Sequence, residues 1–203
     1  REVPNLMMAG RDISTTKTAF GSTRVMGTCA VGGQAAGTAA AMAVHYGVTP
    51  RQLGREHMDE LQQTLLKDDC YIPGFANHDP ADLCRGAEVT AGSHKPGFEP
   101  EQVISGVARR VGQQENAWES EDLESAVLTL KLKGEPSVSQ VRITFDPNLT
   151  RELMPSMTRN VRNRQSKGLP PELVKDYRVE LLKDNVPVWS REVTGNSRRL
   201  NVL

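Results

Sequence analysis

The chain has no surplus of either charge: 25 lysines and arginines face 25 aspartates and glutamates. Such a balance provides no long-range field to gather nucleic acid or an anionic membrane surface. Cysteine is scarce as well. Cys29, Cys70 and Cys84 form no CxxC pair and share no ligand-like spacing with the four histidines, so no metal site is expected. An odd count neither demands nor excludes one disulfide. No apolar run is long and unbroken enough for a membrane span; segment 25–44 is rich in glycine and alanine and is interrupted by Thr28, Gln34 and Thr38. Internal repeats and low-complexity tracts are absent, and no secretory leader is visible in these residues. The first residue is Arg1 rather than methionine, and the chain reads as a piece of a longer polypeptide whose N-terminal part is missing. Its compartment therefore stays open.

Several catalytic signatures are missing too. Ser14 and Ser22 lack the GxSxG turn of a hydrolase nucleophile. No lysine follows a phosphate-cradling glycine loop, and a GxGxxG unit occurs nowhere. His45, His57, His78 and His94 are dispersed and read as lacking a nearby carboxylate. Catalytic residues are therefore left unassigned. Charge is locally uneven. Glu115, Glu119, Glu121, Asp122 and Glu124 crowd one stretch, whereas Arg151, Arg159, Arg162, Arg164 and Lys167 meet one acid, Glu152. Both stretches read as solvated loops.

What is present is concentrated in residues 5–46. The apolar run Leu6-Met7-Met8-Ala9 reads as a buried strand of a parallel sheet, stopped by Gly10-Arg11-Asp12. A polar loop holding Ser14, Thr15, Thr16, Lys17 and Thr18 follows. A small-residue helix should then start between Ser22 and Gly27 and end at Gly47. Gly27, Gly32, Gly33 and Gly37 lie inside it, each costing about 1 kcal/mol relative to alanine. Two readings offset that cost: tight packing on a sheet, or close approach of the backbone to a ligand. Cys29, on this helix, reads as a small buried hydrophobe.

Thr49-Pro50 supplies a capping hydroxyl and a first-turn proline for a further helix. Met58, Leu61, Leu65 and Leu66 make one apolar helical face, either on that helix or on a second one. From Tyr71 to Leu83 the chain is loop-like, and a domain boundary is placed there, dividing 1–83 from 84–203. Beyond it the period becomes two. Residues 87–91, 128–132, 141–145, 177–181, 186–193 and 200–203 read as strands, and Lys183-Asp184-Asn185 as a hairpin turn. The expected fold class is mixed α+β: a strand and Gly/Ala-rich helices, then an antiparallel β-sandwich of jelly-roll type. The stretch from Thr150 to Pro171 is a long basic loop.

Gly10-Arg11-Asp12-Ile13-Ser14, Gly21 through Cys29 (GSTRVMGTC) and Gly33 through Ala40 (GQAAGTAA) together resemble the C-terminal flavin-binding segment of a family of bacterial FAD-dependent oxidoreductases. The resemblance covers about residues 1–83. In that family a Rossmann-like FAD domain is split, and a late strand and helix return to complete the cofactor site. The resemblance implies FAD as cofactor of the full-length parent and the missing N-terminal half as partner. It implies that the chain by itself binds flavin weakly or not at all. Gly10, Arg11 and Asp12 would face the ribityl–pyrophosphate region. The backbone of Val25, Met26, Gly27 and Thr28 would point at the flavin's pyrimidine edge, with Arg24 adding positive charge, and Gly33 and Gly37 would serve close packing. Many relatives carry histidine where this chain has Lys17, so no catalytic role follows for that residue. From about Arg85 the chain is similar to the galactose-binding-like, discoidin-type modules appended to some of these enzymes. Trp118 would there stack on a sugar, against the alternative of a core residue. A small-molecule substrate, with carbohydrate as one class, is the expected ligand.

Overall fold

The computed structural model describes residues 3–151, 156–165 and 167–203. Arg1 and Glu2, at the head of the resemblance, lie outside the described residues. So do 152–155 and 166, within the long basic loop, including Glu152. Helices and antiparallel strands together make a mixed α+β fold, and the chain divides into two compact units, Arg1–Asp82 and Leu83–Leu203.

The first unit is helical: α1 (Lys17–Thr23), α2 (Met26–Tyr46), α3 (Pro50–Glu56) and α4 (Met58–Lys67). Local chemistry sets their ends. α2 stops at Gly47, whose φ of 65° is the left-handed region that glycine enters without a Cβ penalty, and the Val48 N–H returns to the Ala43 carbonyl at 3.0 Å. Thr49 and Gln52 form a reciprocal capping box at α3, with Pro50 in the first turn. The apolar face of 58–66 belongs to a second helix, because the chain bends at His57, which ends α3 and begins α4. Leu53, Leu61, Leu65 and Cys70 bury against Ala39 and Ala43 of α2, and alanines at the contact let the helices come close.

The run 6–9 does not become a strand. Ala9 is extended, at φ −143° and ψ 170°, but no strand of this unit pairs with the run among the described residues. A strand is held by its ladder to a neighbour. Without one, the run contributes Met7 to the helical core. The expected polar loop is also shorter than read: Thr16 caps α1, its hydroxyl accepting from the Ala19 N–H at 3.3 Å.

The second unit carries β1 (Glu88–Ala91), β2 (Leu128–Lys131), β3 (Arg142–Thr144), β4 (Tyr177–Lys183), β5 (Val186–Val193) and β6 (Leu200–Val202), with the short helix α5 (Arg159–Arg164) inside the basic loop. All pairings are antiparallel, but they form three separate two-stranded sheets: β1 with β2, β3 with β6, and β4 with β5. The two facing sheets of a jelly-roll are not joined by ladders among the described residues. β5 shows why: residues 186–192 are exposed on both faces of the strand, so it offers no buried side to a second sheet. The β4–β5 turn follows its sequence. Asp184 and Asn185 take φ of 51° and 62°, the two left-handed positions of a type I′ turn.

Candidate flavin wall at the start of the long helix

Gly10 opens a 3-10 turn, Gly10–Asp12, with φ of 73°, a conformation in which a side chain would be strained. The turn throws Arg11 toward α1, where its guanidinium carbon lies 5.7 Å from the centroid of the Phe20 ring. Asp12 is exposed. After α1, Arg24 donates its backbone N–H to the Phe20 carbonyl at 3.3 Å, and its guanidinium carbon lies 6.0 Å from the same centroid. Both distances are within reach of a cation–π attraction. Two expected site residues, separate in sequence, are thus gathered on one aromatic ring. Among the described residues neither guanidinium has a carboxylate partner.

α2 begins immediately after Arg24. Its N-cap is Val25, extended at φ −74° and ψ 150°, whose side chain accepts no hydrogen bond. The first-turn N–H groups of Met26, Gly27 and Thr28 have no acceptor within the helix, no side chain caps them, and no acid occupies the turn. All three residues are exposed. An uncapped helix start carries roughly half a positive charge. Together with Arg11 and Arg24 it makes a cationic, donor-rich corner suited to an anion.

Inside this unit the glycines of α2 make no close contact. A Cβ built on Gly27, Gly32, Gly33 or Gly37 meets nothing within 4 Å. Close packing inside the unit, expected of Gly33 and Gly37, is therefore not their role here. Cys29 is half-buried rather than buried, its thiol 3.5 Å from the Thr23 carbonyl. Lys17 is the exposed first residue of α1. Trp118 belongs to the second unit, half-buried, with its indole N–H donated to the Ser93 carbonyl at 2.9 Å.

Residues 1–65 match the family model of the FAD dependent oxidoreductases. The match takes in the turn, α1, all of α2 and α3, and most of α4; it covers about a third of the chain. No curated protein and no solved structure matches the chain. The flavin-type segment and the cationic corner thus coincide. The residues present fit FAD: unpaired guanidiniums and free amides for its anionic groups, and side-chain-free positions along α2 where a flat ring system or a second backbone can come close.

Sequence reasoning missed Phe20, although it lies four residues before Arg24, a helical neighbour spacing. It also missed a cluster at the far end of α2. Tyr46 stacks on His57 at 4.0 Å and donates its hydroxyl to Glu60 at 2.7 Å, and that hydrogen bond raises the Tyr46 pKa. His57 Nδ1 lies 3.4 Å from Glu60, and His78 Nε2 3.6 Å from Asp59. Two of the histidines therefore do have carboxylates beside them. The signal for His57 and Glu60 was their i, i+3 spacing; the His78 contact is a long-range one. Among the described residues no group of three or more His, Cys, Asp or Glu could hold a metal, and no helix is long and apolar enough to cross a membrane.

Proposed function

We propose that residues 1–83 form one wall of the FAD site of an oxidoreductase, completed by a GxGxxG-bearing unit in the N-terminal part of the same polypeptide. The observation that carries this is the cationic corner, Arg11 and Arg24 beside the uncapped start of α2, inside the segment that matches the flavin family. When bound, FAD would supply hydride or electron transfer. The protein's part is electrostatic. Amides of Met26, Gly27 and Thr28 would favour negative charge on the cofactor's pyrimidine edge, and Arg24 would add to that effect. Gly10, Arg11 and Asp12 would face its ribityl–pyrophosphate region. Gly33, with open space above it, would let the cofactor or a second backbone approach α2.

The test is reconstitution. Co-expressed with the GxGxxG-bearing unit, the chain should yield yellow protein holding flavin near one to one. Alone it should hold little. Stoichiometric flavin in the chain alone, or none in the combination, would overturn the proposal. For residues 84–203 we propose an appended galactose-binding-like module. Its alternative, carbohydrate binding through Trp118, predicts glycan-array signal from the chain that is lost in Trp118→Ala.

A further inference from the structure

We propose that Phe20 is a positioning residue of this wall, an aromatic post that holds Arg11 and Arg24 at the spacing an anionic cofactor meets. The inference rests on the flavin reading of the segment and goes beyond it by assigning the order of the site to a residue with no polar group of its own. Long exposed guanidinium side chains lose considerable rotamer freedom when an anion fixes them, and binding is weakened accordingly. A ring that already holds them reduces that loss. Neither guanidinium has a carboxylate partner among the described residues, so both charges are open to an anion.

The post itself is braced. Thr16 caps α1, and the Phe20 N–H bonds the Thr16 carbonyl at 2.9 Å. The hydroxyls of Ser22 and Thr23 bond back to the Ala19 carbonyl at 3.1 and 3.2 Å. A seven-residue helix is marginal in isolation, and these bonds close the turns on either side of Phe20. Its half-buried ring is therefore presented from a tied-down turn, whereas the arginines that reach it are exposed.

The experiment follows the Arg11 and Arg24 Nε–H resonances of the isotope-labelled chain, assigned with Arg11→Gln and Arg24→Gln. Without FAD, ring-current shifts at both side chains should be present in wild type and in Phe20→Tyr, and absent in Phe20→Leu. With FAD titrated to about 10 mM, a range that reads millimolar binding, both resonances should move. The apparent Kd should rise about fivefold in Phe20→Leu and recover in Phe20→Tyr, as expected for loss of an exposed cation–π pair. Equal FAD affinity in wild type and Phe20→Leu would overturn the role of Phe20 and leave the flavin wall standing. Ring shifts absent from either arginine in wild type would overturn this inference alone; resonances that carry the ring shifts but ignore FAD even in the chain co-expressed with the GxGxxG-bearing unit would overturn the flavin reading and this inference with it. Phe20→Met serves the same comparison if Phe20→Leu loses its helical signal.

Discussion

A Cβ on Gly92 would stand 2.5 Å from the Ser125 backbone oxygen, closer than carbon and oxygen pack, and backbone cannot swing aside as a flexible side chain can. Gly92→Ala should therefore destabilise the chain by about 1–3 kcal/mol. Gly37→Ala, with no neighbour within 4 Å in a helix interior, should stabilise it by up to about 1 kcal/mol. Denaturant unfolding of the two variants measures both, and a neutral Gly92→Ala would refute the contact. Ser125 is in turn bonded to Asp122, whose carboxylate accepts from the Ser125 hydroxyl and backbone N–H, both at 2.7 Å; these bonds hold its pKa below the ordinary value. The folded state thus favours the ionised form. Its contribution is full above the unfolded value of about 3.9 and fades as pH falls through the lower folded value. In Asp122→Asn that acid-dependent loss should be absent, so unfolding scans from about pH 6 to 2 should show a shallower decline than in wild type; identical slopes would count against it. The contact between Gly92 and Ser125 did not stand out in the sequence. Gly92 reads as any loop glycine until Ser125, distant in sequence, is placed against it.

Among the elements, those with local punctuation were legible. Gly47 ends α2, Thr49-Pro50 starts α3, and Asp184-Asn185 turns β4 into β5, because each acts on its own backbone. The run at 6–9 misled for the opposite reason: consecutive apolar residues read alike whether or not a neighbour exists to pair with them. α1 escaped notice because seven mostly polar residues give no period to detect. α2 itself is uneven. Its buried residues, Ala39 and Ala43, lie in the second half, while Met26 is 76% and Val31 51% exposed. Amide hydrogen exchange should accordingly be slow from about Ala39 to Tyr46 and markedly faster from Ala30 to Gly33. Uniform protection along the helix would contradict this packing.

At the scale of the molecule, composition and period were enough to separate a helical unit from a β-rich one, since the 3.6 period of residues 58–66 gives way to a period of two beyond the boundary. How the strands join was not legible, because pairing is decided between distant segments and the period says which face is apolar, not which strand lies alongside. The site stood midway between the two. Its arginines and glycines were named from their motif, while the ring that gathers the arginines required coordinates.

The bend at His57, stacked under Tyr46 and tied to Glu60, fastens α2 at its C-terminal end, with Leu53, Leu61 and Leu65 packed beside it. A helix of 21 residues is a rod about 30 Å long. Its buried residues, Ala39 and Ala43, both lie toward that end, and a tilt of roughly 5° there carries the far tip through roughly 2.5 Å, close to the length of a hydrogen bond. The aim of the cationic corner is therefore governed by apolar and aromatic contacts at the opposite end of the rod.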